Sequence, residues 1–452
     1  MDTLTGRRQD TGRGKVAVIG AGISGLSAAW LLSRSMDVTL YEEENRAGGH
    51  ANTVEVSGSN GPIPVDCGFI VFNDRNYPNL VAMFEHLGVE TRTSDMSFSA
   101  SLDGGHFEYS GSGIAGLLSQ KTNVLKPRFW SMVSDIMRFY REAPRMLETE
   151  NTAELTLGDY LEREKYGPAF IRDHLLPMGA AIWSTTASDM RSYPLKAFLR
   201  FFVNHGLLLL KDRPVWRTVT HGSRRYVQRI LDDFNGERRF GSPVVGIRRD
   251  AFGVTVTCAN GLTDRFAEVI IATHADRALT MLTDADDREN ALLGAFRYTD
   301  NLAVVHSDTR LMPKRKGAWA SWNYVAGEGH GGDVPLCVTY WMNRLQGIDP
   351  AQPVFVTLNP CMAIDESKVH GRFHYTHPLF DAAAIAAQKD IWGLQGRRRT
   401  WFCGAHFGSG FHEDGLQAGL AVAEQLGGIR RPWTVADEYG RIFIDAMKAV
   451  AE

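Results

Sequence analysis

The period of hydrophobic and polar positions changes several times along this chain. Lys15–Ile19 is a short apolar run that predicts a buried strand. A glycine turn follows at residues 20–25, then a small-residue and leucine run over 26–33 that predicts a helix, then a second strand over 38–41. Strand, turn, helix and strand in this order make the first half of a Rossmann unit. Residues 76–87 read as an amphipathic helix closed by Gly88. A turn-rich hairpin is expected over 102–110, long helical patterns over 114–210, and a further helix over 226–231. Residues 244–248, 254–258 and 267–272 read as strands, and 295–378 as a second turn-rich, aromatic block. Residues 400–403 predict a strand, followed by a glycine loop and a helix over 414–425. No repeat or Ser/Pro linker separates these blocks. Two interleaved, discontinuous domains are therefore expected: 14–93, 219–294 and 379–452 in one, 94–218 and 295–378 in the other.

Composition narrows the class. A chain of 452 residues, 44% hydrophobic and 22% charged, can build two sizeable cores. A net charge of −3 carries no signature of nucleic-acid binding. Five scattered cysteines without a C-x-x-C pair argue against a disulfide framework or a metal site and for a reducing compartment. Residues 1–14 lack the apolar stretch of a signal peptide, and no segment offers the ~18 consecutive apolar residues of a membrane span. A cytoplasmic protein is expected.

Gly20, Gly22 and Gly25 form G-x-G-x-x-G between a strand and a helix. The first glycine permits the tight turn, the second lets backbone approach a pyrophosphate, and the third allows close helix–strand packing. The helix start then offers free N–H groups and a positive dipole end to the phosphates. Glu42 lies twenty residues after Gly22, where an acid would bind ribose hydroxyls; Ser24 and Glu43 join the expected contacts. A second G-x-G-x-x-G at Gly111, Gly113 and Gly116 follows a polar hairpin and precedes no strand ending in an acid, so it reads as a helix-entry turn. The chain thus has one dinucleotide site and no separate NAD(P)H domain.

Arg46-Ala-Gly48-Gly49-His50 follows at once and resembles the R-x-G-G segment of the amine oxidase and phytoene desaturase flavoprotein superfamily. Asp66-Cys67-Gly68 looks like that superfamily's D-x-G segment, and Val244 like the strand residue whose backbone meets the adenine. Phe402-Cys403-Gly404 and the loop Gly410, Phe411, His412, Glu413 resemble its C-terminal flavin motif. The resemblance implies a Rossmann-type α/β FAD-binding domain with an interleaved α+β substrate-binding domain, and non-covalent FAD. A helix start aimed at the flavin suits the negative charge of the reduced ring. A closer resemblance is to a bacterial subgroup linked to cyclopropane-fatty-acid-synthase-like methyltransferases. It rests on residues 178–184, 320–324, 339–343 and 410–415. That likeness implies desaturation of a methyl-branched acyl chain. The partners it implies are a lipid substrate, a lipid methyltransferase and transient contact with the inner face of a membrane.

Amine oxidases of the superfamily often carry a lysine near the flavin; by alignment Asn301 stands there, and Phe411 replaces one of two substrate-framing tyrosines. Candidate catalytic residues are His412, Glu413, Trp322, Asn323, Tyr324 and Tyr340, with Trp183, Trp341 and Asn343 as companions. Aromatic faces favour positive charge developing at a branched carbon, although aromatics in β structure commonly serve the core. Residues 121–145 carry six basic residues against Asp135 and Glu142 among aromatics, and 198–210 is apolar with basic flanks. Such segments lie on anionic lipid or are ordinary amphipathic helices. Two other readings stay open: a flavin-dependent amine oxidase, and a non-catalytic flavin-binding accessory of a lipid enzyme.

Overall fold

The structure, a computed structural model, describes residues 14–148, 155–183, 190–209, 211–326 and 336–444. It divides into two compact units. One takes the chain up to Gly49, Val227–Phe296 and the chain from Ala386 onward; the other takes His50–Tyr226 and Arg297–Ile385. The expected boundaries differ from these chiefly at residues 50–93, which group with the second unit. Their strands explain why: Phe72–Asn73 and Thr91–Thr93 both pair with Trp216–Val219. Local patterning carries no trace of a partner more than a hundred residues away.

The first unit is built on a five-stranded parallel sheet in the order Glu237–Arg239, Asp37–Tyr41, Lys15–Ile19, Glu268–Ile271, Thr400–Phe402. In chain order this is 3-2-1-4-5, the doubly wound arrangement whose ligand crevice lies at the carboxyl ends of the central strands. Val16, Ala17 and Val18 are fully buried, as a central strand covered on both faces requires. The helix Ile23–Leu32 follows the glycine turn and is buried throughout. The C-terminal helix His412–Gly427 runs beside it in the same direction, with Gly415 and Gly419 against Ser24 and Gly427 against Leu32. A Cβ on Gly415 would lie 2.7 Å from Ser24 Oγ, and one on Gly419 would meet the Ser24 carbonyl and Ser27 Oγ. Small residues on both helices therefore allow their backbones to approach and set their N-termini side by side.

The second unit holds a seven-stranded sheet. Its order is Val369–Leu379, Arg297–His306, Phe355–Leu358, Leu336–Trp341, Trp322–Ala326, Phe98–Leu102, Phe107–Ser110. All neighbours are antiparallel except Trp322–Ala326 with Phe98–Leu102. The block that reads as turn-rich over 295–378 is thus mostly sheet. One sheet face, with Ala100, Tyr324, Val338 and Tyr340, packs in one core with Phe129 and Met132 of the helix Pro127–Glu142. Phe198, Leu199 and Phe202 of Leu195–Asn204 are buried, so that segment serves the core rather than a surface; Leu210 and the glycine-rich stretch 329–332, which reads from sequence as a plain turn, lie outside the described residues.

Candidate cofactor and active site

The glycine turn shows a division of labour. Gly20 has φ +99°, and a Cβ on Gly25 would run into the Gly20 carbonyl, so the fold itself demands glycine at both. Gly22 is different: its φ is −73°, which any residue adopts, and a Cβ there would meet nothing within 4 Å. The protein leaves that space open at a helix N-terminus, which fits a pyrophosphate lying against the backbone. Gly48 and Gly49 have φ of +120° and +54°, and Gly48 N–H donates to the Ala21 carbonyl at 2.8 Å. A Cβ on Gly49 would lie 3.2 Å from Gly22 Cα, so this second glycine pair is laid directly on the first turn. Arg46 fixes it by donating to the Gly49 carbonyl at 3.0 Å.

Glu42 reaches the same turn. Its carboxylate accepts from Ala21 N–H at 2.7 Å and Glu44 N–H at 3.0 Å, and burial raises its pKa. Each oxygen keeps a lone pair for a ribose hydroxyl. Glu43 points to solvent, whereas Ser24 is buried against the C-terminal helix, a packing position. Val244 opens a strand paired with Cys258, with a bulge before Gly246.

The C-terminal loop is organised by a residue that the motif reading passes over. Asp414 accepts from Ser409 N–H at 3.0 Å and Phe411 N–H at 2.7 Å and is paired with Arg441. Gly410 takes φ +89° in that loop. His412 begins the helix, and desolvation pushes its imidazole down to about 3, so it is neutral near pH 7. Glu413 is fully buried and accepts from Gln417 Nε2 at 3.0 Å. Gly404 is required by the His406 ring, 2.5 Å from where a Cβ would sit. Gly20, Gly22, Glu42, Arg46, Gly48 and Gly49 form one constellation within the first unit, and two parallel helix starts lie beside each other there. This donor set fits FAD.

In the second unit, Trp322 and Tyr340 are cross-strand partners with ring centroids 5.0 Å apart in an edge-to-face pair. Tyr324 shares their sheet face and is 3% exposed, a core position. Asn323 points to the opposite face. Its Oδ1 accepts from Ser99 Oγ and Ala320 N–H, and its Nδ2 donates to the Ala320 and Thr339 carbonyls. All four valences are used, which makes Asn323 a positioning residue for Trp322 rather than a reacting group. Asn343 is likewise committed to backbone, and the Trp183 side chain and Ser184 lie outside the described residues.

A polar cluster that the motifs announce only in part, through His50, the Asp66–Gly68 segment and Asn301, lies at the edge of the same sheet. Tyr375 Oη accepts from Asn52 Nδ2 at 3.0 Å and lies 3.2 Å from Cys67 Sγ. The His50 ring packs against Tyr375 and His377, with centroids at 5.0 and 5.5 Å. Asn301 Nδ2 donates to His377 Nδ1 at 2.9 Å, while its Oδ1 accepts from Asn359. Gly68 lies so close that a Cβ would strike the His50 carbonyl. Asp66 is fully buried, accepts from Thr53, Ser223 and Gln346, and is pushed up to about 6 by burial. These residues are far apart in sequence; the pairing of Arg297–His306 with Val369–Leu379 brings Asn301, Tyr375 and His377 together, while Thr53 and Asp66 are cross-strand partners in the hairpin Thr53–Gly58 and Gly61–Asp66.

A family model described as flavin containing amine oxidoreductase matches residues 23–307, well over half of the chain. A tryptophan 2-monooxygenase of Allorhizobium ampelinum is 39% identical over 92 residues, which is 20% of this chain and 12% of that protein. A redesigned putrescine oxidase has a TM-score of 0.64 at 12% identity, covering 92% of this chain and 99% of its own. A fatty acid isomerase from P. acnes, described as producing CLA, has a TM-score of 0.60 at 14% identity over 92% and 98% of the two chains. At such identities the two structural likenesses are likenesses of fold.

Proposed function

Because the chain belongs to the flavin-containing amine oxidoreductase family and is an FAD-dependent oxidoreductase, we propose that it desaturates a methyl-branched lipid acyl chain beside the branch. Non-covalent FAD, when bound, supplies the acceptor for a hydride. The observation that carries the reading is Asn301: it is 1% exposed and bound to His377 and Asn359, a neutral amide at the position where the resemblance to amine oxidases implies lysine. Trp322, only partly buried and packed edge-to-face on the core residue Tyr340, is the aromatic that would face a carbon that becomes electron-poor. Cys403 is fully buried and burial raises its thiol pKa, which disfavours a covalent flavin link there. The fatty acid isomerase of like fold lends the lipid reading plausibility. A lipid methyltransferase is the reaction type that supplies such a substrate.

The lipid would be reached at a membrane surface. No described helix is long and apolar enough to cross one, but the helix Pro127–Glu142 and the turn before it expose apolar side chains to solvent. Anaerobic mixing of the FAD-loaded protein with branched acyl lipids, straight-chain lipids and primary amines tests the reading. Flavin bleaching by branched lipids, with a new double bond beside the branch and slower bleaching in Trp322→Ala, is expected. Bleaching by amines alone moves the assignment to amine oxidase; bleaching by none favours an accessory role.

A further inference from the structure

The sequence offers five cysteines without a pattern, and the fold brings two of them together. Cys337, in the strand Leu336–Trp341, and Cys361, beyond the strand Phe355–Leu358, have their Sγ atoms 2.8 Å apart. We propose that Cys361 and Cys337 are a peroxide-oxidisable dithiol that closes to a reversible disulfide. Three observations set this pair apart. The sulfur atoms are already closer than two thiols in simple contact. Cys361 is partly exposed, whereas Cys67, Cys258, Cys337 and Cys403 are all buried, so one member of the pair alone meets a small oxidant. The pair also sits in a small apolar cluster with Leu311, Val325 and Ile364, on the sheet face opposite Tyr324 and Tyr340.

The chemistry balances with hydrogen peroxide as oxidant. The Cys361 thiolate attacks one peroxide oxygen, the O–O bond breaks, and a sulfenic acid and, after proton uptake, one water result. Cys337 sulfur then attacks the Cys361 sulfur, expelling the hydroxyl, which leaves as a second water with the Cys337 proton. Two thiols and one peroxide thus give one disulfide and two waters. The partial exposure of Cys361 and the burial of Cys337 assign the attacking and resolving roles, and the contact between the two sulfurs, which lowers the Cys361 pKa and raises that of Cys337, agrees with them.

The test uses the FAD-loaded full chain and hydrogen peroxide near stoichiometry, with thiols counted after denaturation and peptides mapped by mass. Free thiols should fall from five to three, and a cross-link should join the tryptic peptides on either side of Arg344, broken again by dithiothreitol. In Cys337→Ser, dimedone should trap a sulfenic acid at Cys361; in Cys361→Ser, peroxide should leave Cys337 a free thiol. Absence of the cross-link in the wild-type chain overturns the proposal. So does oxidation of Cys67, Cys258 or Cys403 as fast as Cys361, or accumulation of sulfinic acid at Cys361 while Cys337 remains free. The wild-type peptide map decides even if either variant fails to fold.

Discussion

Single residues in this protein separate what the fold requires from what the ligand requires. Gly22 and Gly419 make the contrast. Gly22 has ordinary backbone and open space where a side chain would go, so Gly22→Asp should fold with unchanged far-UV dichroism yet purify colourless, its carboxylate meeting the pyrophosphate. Gly419 is packed on the Ser24 carbonyl, so Gly419→Ala should be destabilised by about 1–3 kcal/mol as an overpacked contact. Flavin absorbance and thermal melting on both variants check the pair. A yellow Gly22→Asp would place the phosphates elsewhere. An unaltered melting curve for Gly419→Ala would show that the two helices can move apart. Asn323 teaches the complementary point: its residue type suggests chemistry, but its saturated hydrogen bonds reveal a structural post.

At the scale of elements, the basic helix Pro127–Glu142 resolves into two populations. Arg128 is consumed by Asp103 and Asp173, and Arg138 by Asp135 and the Glu164 carbonyl. The remaining face is unusual: Trp130 and Met137, one helical face apart by seven residues, are 54% and 48% exposed, and Leu125 in the preceding turn is 82% exposed. Trp130 Nε1 donates to the Val124 carbonyl at 2.8 Å, which ties turn and helix into one apolar ridge, with Lys121 exposed beside it. Apolar ridges with basic flanks suit an anionic lipid surface. The FAD-loaded protein should therefore co-sediment with phosphatidylglycerol vesicles, more weakly with phosphatidylcholine and at high salt. Leu125→Glu with Trp130→Glu should reduce binding at least tenfold while leaving the flavin bound. Equal sedimentation of wild type and double variant would sink the idea without touching the desaturase reading, since a carrier can also deliver a lipid.

Across the whole molecule, buried imidazoles set the response to acid. Burial pushes His174 and His306 down to about 4 and His406 to about 3. For His306 the tautomer follows from its partners: Nδ1 accepts from Asp308 N–H, so Nε2 donates to Thr357 Oγ1. A depressed histidine is neutral in the folded state and protonated in the unfolded state between its two pKa values. Its stabilising contribution is whole above about pH 6.5 and is lost as pH falls toward 4, about 3 kcal/mol for His306 at about 1.4 kcal/mol per unit. Asp66, raised to about 6, works in the opposite sense: its folded form binds the proton more tightly, so stability at this site is gained as pH falls through 6. The three histidines, together with His412, outweigh the raised carboxyls Asp66 and Glu42. The denaturant midpoint should therefore decline from pH 6.5 to 4.5, and His306→Gln should flatten that decline by close to one proton. A midpoint that rises with acid, or a slope indifferent to His306, would contradict this account.

The boundary between what the sequence determined and what the tertiary structure decided follows interaction range. The glycine turn, Glu42, the R-x-G-G pair and the flanking strand and helix are legible because their constraints act within about thirty residues, where φ, spacing and period are written into the chain itself. The C-terminal helix is legible as a helix, but its partner is not; Gly415 and Gly419 acquire meaning only against Ser24. The seven-stranded sheet was hidden because short aromatic strands between turns carry no record of which strand they pair with. The clusters assembled by that sheet were hidden too: the Tyr375–His377–Asn301 cluster and the Cys337–Cys361 pair. Exposure was also undecidable, since Trp130 and Phe129 are adjacent aromatics, one at 54% and one at 0%. Local geometry fixes how a segment bends and what it can bind through its own backbone; long-range packing alone decides which side chains meet, because their encounter depends on strand pairing and burial that no stretch of sequence specifies by itself.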